Sequence, residues 1–157
     1  MGKYWIFDFD GTLVDSENPI KQCYIKVTKA IAPSSLKNAE DILIGPTLQE
    51  TTKLILGSKN SNQYERFITL FKKEYDENLL LETKPYKDVL ETLQHLVQRG
   101  DKLAIATNKR QEATLKLIDH YGWNDYFHWI GCANEKKQEI RNKNELVTFY
   151  IKNNPQF

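Results

Sequence analysis

One segment constrains this chain more than any other. Tyr4 to Phe9 is aromatic or branched almost without a break, and it runs into Asp8-Phe9-Asp10-Gly11-Thr12. A short apolar run closed by acid and glycine reads as a buried strand, of the kind parallel sheets contain. Asp8 to Ser16 then reads as a loop, with Gly11 allowing a sharp turn away from the sheet. Two later segments repeat the signal: Lys102 to Thr107 is a second buried strand, and His128 to Ala133 is a third. Helical periodicities follow each strand or precede the next. Val89, Leu90, Leu93, Leu96 and Val97 make one apolar face, and Gly100 stands where a C-terminal cap belongs. Gln111 to Tyr121 turns Ala113, Leu117, Ile118 and Tyr121 inward, with Gly122 as its cap. Asn144 to Asn153 makes a last helix. Strands alternating with helices predict an α/β fold, a parallel sheet with helices on its faces.

Between the first strand and Val89 the pattern changes. Ile20, Cys23, Tyr24, Val27 and Ile31 recur at helical spacing, and Pro33 stops them. Ile44-Gly45-Pro46 breaks the chain. Thr47 can cap the next helix, with Glu50 three residues on as its capping-box partner, and Gly57 ends it. A longer helix from about Asn62 carries Tyr64, Phe67, Ile68, Phe71 and Tyr75 on one side. No strand pattern interrupts this stretch. It predicts an all-helical insert over residues 16–83, within a sheet domain of residues 1–15 and 84–157.

Composition narrows the function classes. Lys plus Arg number 22 and Asp plus Glu 21, so no charge excess calls for nucleic acid or a membrane surface. No segment approaches the ~18 apolar residues of a membrane span. Cys23 and Cys132 stand far apart in no metal-ligand spacing, which fits a reducing cytoplasm better than a disulfide framework.

In an open parallel sheet, ligands bind beyond the carboxyl ends of the strands. Asp8 and Asp10 fall there after the first strand, and Thr107 and Asn108 after the second. Two carboxylates two residues apart at a strand end repel each other unless a cation lies between them, and Mg2+ suits such oxygen ligands. One Asp can attack phosphorus; the other can protonate the leaving oxygen and later activate water. Thr107 and Asn108 can donate to phosphate oxygens. Lys143, just before an apolar helix, can bring positive charge to them, with Lys136 and Lys137 as rivals. His95, His120 and His128 read as structural, and the aromatic cluster Tyr121, Trp123, Tyr126, Phe127 and Trp129 as core or interface. Asp15 and Ser16 are expected to start the first helix of the insert.

Asp8-Phe9-Asp10-Gly11-Thr12-Leu13-Val14-Asp15-Ser16 resembles the first motif of the haloacid dehalogenase superfamily, and Leu103 to Lys109 resembles the strand of its second motif, with Thr107 as the motif hydroxyl. Ile44-Gly45-Pro46-Thr47-Leu48 and Lys84-Pro85-Tyr86 resemble the cap loop and the cap's return in phosphoglycolate-phosphatase-like members. The resemblance implies a Rossmann-like core with an inserted helical cap, and Mg2+-dependent phosphoryl transfer. It implies that Asp8 is nucleophile and magnesium ligand. Asp10 is then general acid/base, with its main-chain carbonyl on the metal. Gly11, Thr12, Thr107 and Asn108 are the expected phosphate-binding positions, and Lys143 the third-motif lysine. Resembling dehalogenases and phosphonatases lack an acid at the position of Asp10, so a phosphatase of small phosphorylated metabolites is the leading expectation. A sugar phosphomutase and a catalytically impaired phosphate-binding protein are the alternatives. The family's acidic fourth motif has no counterpart after Lys143. The expectation is therefore a core incomplete at its C-terminus, with the edge of the first strand covered by a missing C-terminal segment or by a partner chain.

Overall fold

The computed structural model describes residues 2–133 and 142–155. The chain divides into two compact units, Met1–Val14 with Pro85–Phe157, and Asp15–Lys84.

The first unit is built on a parallel sheet of β1 (Tyr4–Phe7), β4 (Lys102–Thr107) and β5 (Phe127–Cys132), in the order β1-β4-β5. β4 is central, and Leu103, Ala104, Ile105 and Ala106 are all buried. β1 pairs with β4 from Tyr4↔Lys102 to Phe7↔Ile105. It is shorter and more exposed than the sequence predicts. It ends at Phe7, Trp5 is 37% exposed, and Tyr4, Ile6 and Phe7 are half-buried. The reason is its place in the sheet: among the described residues β1 pairs on one side only, and an edge strand is covered less than a central one.

Asp101, in the turn before β4, ties that edge down. Its carboxylate accepts from the Lys3 backbone N–H at 2.8 Å, from Trp5 Nε1 at 3.0 Å and from Arg99 at 2.8 Å. The pairing of β4 with β5 shifts register between Leu103 and Ala104, which stand opposite Phe127 and Trp129. His128 is skipped and lies exposed, where its Nε2 hydrogen-bonds the Tyr150 hydroxyl.

Three helices accompany the sheet: α5 (Val89–Gln98), α6 (Gln111–His120) and α7 (Lys143–Asn153). Leu93 and Leu96 of α5, Leu117 and Ile118 of α6, and Leu146 and Tyr150 of α7 are buried. Each such apolar side chain contributes on the order of 2 kcal/mol. The apolar face predicted for α5 is narrower in fact, since Leu90 and Val97 are exposed. Gly100 and Gly122 follow α5 and α6 with φ of 81° and 67°, the left-handed values that favour glycine at a helix end.

The second unit is helical: α1 (Glu17–Ile31), α2 (Leu36–Glu40), α3 (Leu48–Leu56) and α4 (Tyr64–Glu74). Past α4 the chain continues as a π-turn over Tyr75–Leu79 and a 3-10 turn over Leu80–Glu82. Its core is aromatic: Tyr24 lies 4.3 Å from Phe71, ring centre to ring centre, and Phe71 5.6 Å from Tyr75. The capping box at Thr47 forms in both directions. Ser16 stands at the N-cap of α1 but makes no side-chain capping bond, and its buried hydroxyl has no hydrogen-bond partner among the described residues. β2 (Val14–Asp15) and β3 (Lys84–Pro85) make a two-stranded sheet where the chain passes from one unit to the other. Among the described residues no helix is long and apolar enough to cross a membrane.

Candidate active site

Asp8 and Asp10 lie just past the C-terminal end of β1, on a turn wound around Phe9. The Phe9 carbonyl accepts from the backbone N–H groups of Leu13 at 2.9 Å, Val14 at 3.2 Å and Thr12 at 3.3 Å. Gly11 closes the turn by donating to the Val14 carbonyl at 2.9 Å. Its φ of 77° is the reason for glycine here, because a Cβ at this position would touch nothing within 4 Å. The Phe9 ring is fully buried and anchors the turn between the two acids. Gly11 and Thr12 are exposed at its tip.

Each acid meets a lysine that arrives from elsewhere in the chain. Asp8 Oδ1 accepts from the Phe9 backbone N–H at 2.8 Å, and Asp8 Oδ2 accepts from Lys143 Nζ at 2.5 Å. Asp10 accepts from Lys109 Nζ, at 3.1 Å through Oδ1 and 3.4 Å through Oδ2. Two like charges on one turn are thereby balanced by two ammonium groups. The pairs differ in exposure. The Asp8 and Lys143 side chains are about one-third exposed, at 33% and 36%, whereas Asp10 and Lys109 are at 13% and 5%.

The loop after β4 supplies the other wall. Thr107 is buried, and its Oγ1 accepts from the Lys109 backbone N–H at 3.1 Å, which leaves the hydroxyl proton to donate. Asn108 has a task the sequence did not announce. Its Oδ1 accepts from the backbone N–H of Lys143 at 2.7 Å. Lys143 is the first residue of α7, where backbone N–H groups have no intrahelical acceptor, so Asn108 satisfies one of them. Asn142, the N-cap, takes another by accepting from Glu145 N at 3.1 Å. By its place in the sequence Asn108 is expected at the phosphate; in the structure its carbonyl oxygen holds the start of the helix that carries Lys143. The structure thus brings Asp8, Asp10, Thr107, Asn108 and Lys143 to one end of the sheet and adds Lys109. Lys136 and Lys137 lie outside the described residues. The histidines are absent from these contacts.

Lys109 was missed because a lysine after a strand is ordinarily a solvated side chain. The available signal was its place two residues beyond Thr107, at the sheet end that already held two acids. Cys132, at the end of β5, stands opposite Thr107 in the sheet register. Burial pushes its thiol up to about 11.

Residues 5–151 match the haloacid dehalogenase-like hydrolase family. The chain belongs to that family. It is 32% identical over 130 residues to a phosphoglycolate phosphatase of Aquifex aeolicus, a match covering 80% of this chain and 58% of that protein. It is 34% identical over 134 residues to pyrophosphatase PpaX of Bacillus velezensis, covering 84% of this chain and 60% of that protein. The chain therefore spans under two-thirds of the length of these curated relatives. A haloacid dehalogenase-like family hydrolase of Streptococcus pneumoniae superposes with a TM-score of 0.77 at 18% identity, over 98% of this chain and 70% of that one, and so shares the fold.

Mg2+ takes oxygen donors, keeps several waters and is held through one or two carboxylates together with substrate phosphate. The Asp8 carboxylate fits that description, and the main-chain carbonyl of Asp10 offers a second oxygen, which leaves the Asp10 carboxyl for proton transfer. Among the described residues no group of three or more His, Cys, Asp or Glu side chains gathers, so a closed all-protein cage is not formed by them.

Proposed function

We propose that this chain is a Mg2+-dependent phosphatase of small phosphorylated metabolites that works through an aspartyl phosphate in a reducing cytoplasm. The observation that carries the reading is the setting of Asp8. One oxygen is fixed by the Phe9 N–H and the other by Lys143, at the carboxyl end of a parallel strand where such folds bind ligands. The names of the relatives, phosphoglycolate phosphatase and pyrophosphatase, support the same reaction class and supply the first two compounds to try.

The Asp8 carboxylate and the Asp10 main-chain carbonyl would hold the magnesium ion, which when bound offsets negative charge on the phosphoryl oxygens. Asp8 attacks phosphorus, forming an acyl phosphate as the bond to the leaving oxygen breaks. The leaving oxygen takes its proton from Asp10, which then accepts a proton from the water that splits the acyl phosphate and frees phosphate. Thr107 Oγ donates to a phosphoryl oxygen. The Lys143 ammonium stays beside Asp8 and balances the charge that accumulates on the oxygens.

The test is phosphate release with Mg2+ from a panel that includes phosphoglycolate and pyrophosphate. Wild-type protein turns over at least one compound, EDTA stops it, and Asp8→Asn abolishes it. Unchanged turnover in Asp8→Asn would overturn the nucleophile assignment. Transfer of phosphate to a sugar without release would identify a mutase instead.

A further inference from the structure

Lys109 has no part in the steps above, yet it is the most enclosed of the four charged side chains, at 5% exposure. A buried ammonium is costly unless it is paired and hydrogen-bonded. Its Nζ reaches both oxygens of Asp10 from a position 99 residues further along the chain. The partners are fixed at their roots. The Lys109 backbone N–H is tied to Thr107 Oγ1, and the backbone of Asp10 lies in the hydrogen-bonded turn around Phe9. The closer contact, to Oδ1 at 3.1 Å, fixes one side of the carboxyl and so its plane, while Oδ2, at 3.4 Å, is the oxygen able to carry the proton.

We propose that Lys109 is a positioning residue that aims the Asp10 carboxyl at the leaving-group oxygen. The inference rests on the reading of Asp10 as the group that protonates that oxygen. As the bond from phosphorus to the leaving oxygen breaks, its electron pair stays on oxygen and the Asp10 proton joins it. An alkoxide is too basic to leave without that proton. A nitrophenolate leaves as a stable anion and depends on it far less. A residue that acts through Asp10 must therefore matter more for alkyl than for aryl phosphates. A residue that binds the transferred phosphoryl group, or that only fills space, slows both alike.

The experiment compares glycerol 2-phosphate with p-nitrophenyl phosphate as substrates of the purified protein with Mg2+. Lys109→Met keeps the length of the side chain and removes its charge. The ratio of alkyl to aryl kcat is expected to fall about 100-fold, the scale of general acid catalysis. Lys109→Arg restores most of that ratio. Lys109→Gln, which keeps a donor, gives an intermediate ratio and serves if the methionine variant does not fold. Adding Lys109→Met to Asp10→Asn costs the alkyl substrate little further, because effects routed through one residue do not add. Equal losses on both substrates, or additive losses in the double variant, overturn the proposal. A wild-type protein that releases phosphate from no compound of a panel that includes these two, phosphoglycolate and pyrophosphate overturns the phosphatase reading itself, and this inference with it, before any variant is compared.

Discussion

The carboxamide oxygen of Asn108 accepts the backbone N–H of Lys143 at 2.7 Å, joining the loop after β4 to the first turn of α7. The same turn projects the Lys143 ammonium onto Asp8. A side chain that stands at a phosphate site can thus act on it through the lysine it places. Asn108→Ala is expected to lower phosphatase kcat about 10-fold, the scale of one hydrogen bond lost. Lys143→Ala is expected to lower it about 100-fold or more, the scale of one charge-stabilising donor. The double variant should match Lys143→Ala alone to within a few-fold. Steady-state kinetics of the three variants decides, and fully additive losses would show that Asn108 meets substrate directly.

The helical unit offers a prediction free of catalysis. Thr47 Oγ1 accepts from Glu50 N at 3.3 Å, while Glu50 Oε2 accepts from Thr47 N at 2.8 Å. Thr47→Ala removes the capping side of this reciprocal pair and should destabilise the protein by about 1 kcal/mol. Thr47→Ser, which keeps the oxygen, should lose much less. Urea unfolding followed by circular dichroism checks both.

Much of this fold was legible because its signals are local. The β4 strand is apolar on both faces and ends at a threonine, so its bounds follow from hydrophobicity alone. The Thr47–Glu50 box and the glycines after α5 and α6 mark helix ends through short-range chemistry. The five-residue α2 was not legible, because Leu36–Glu40 is too short for a helical period to show. It is held instead by tertiary contacts such as Asn38 Nδ2 to the Ile55 carbonyl at 2.9 Å. The shortness of β1 was hidden for a related reason: Tyr4 to Phe9 reads the same whether a strand is central or at an edge.

The site divides along the same line. Asp8 and Asp10 announce themselves by spacing, whereas the lysine each one meets is a long-range fact. Nothing near Asp10 points to Lys109, and nothing near Lys143 points to Asn108. These pairings come from the parallel register that brings the ends of β1 and β4 together.

The thiol of Cys132 supplies a third prediction. It is buried in the first unit, and burial raises it to about 11, so at pH 8 the reactive thiolate is scarce. Cys23 is also buried, and its Sγ lies 3.6 Å from the Phe71 carbonyl oxygen. Iodoacetamide at pH 8 should therefore modify neither cysteine in folded protein over the time that modifies both in urea. Mass spectrometry of the two samples reads the difference. Rapid labelling of Cys132 in the folded protein would contradict its burial.

Asp101 makes the stability of the first unit depend on pH. The Lys3 backbone N–H is the main influence holding its carboxyl below the usual carboxylate range, with Trp5 and Arg99 acting in the same direction against the opposing effect of burial. A carboxyl whose pKa is lower folded than unfolded stabilises the fold in its charged form. That stabilisation is complete above the unfolded value of about 4 and disappears as pH falls through the folded value beneath it. Asp101→Asn keeps the shape but gives up the charge, and it cannot accept on both sides of the clasp at once. The variant should unfold at a lower temperature than wild type at pH 7, and the gap between them should narrow steadily from about pH 5 to pH 3. Thermal melts across that range measure it. A gap that stays constant, or widens in acid, would mean that the lowered pKa of Asp101 contributes nothing to the pH dependence of stability.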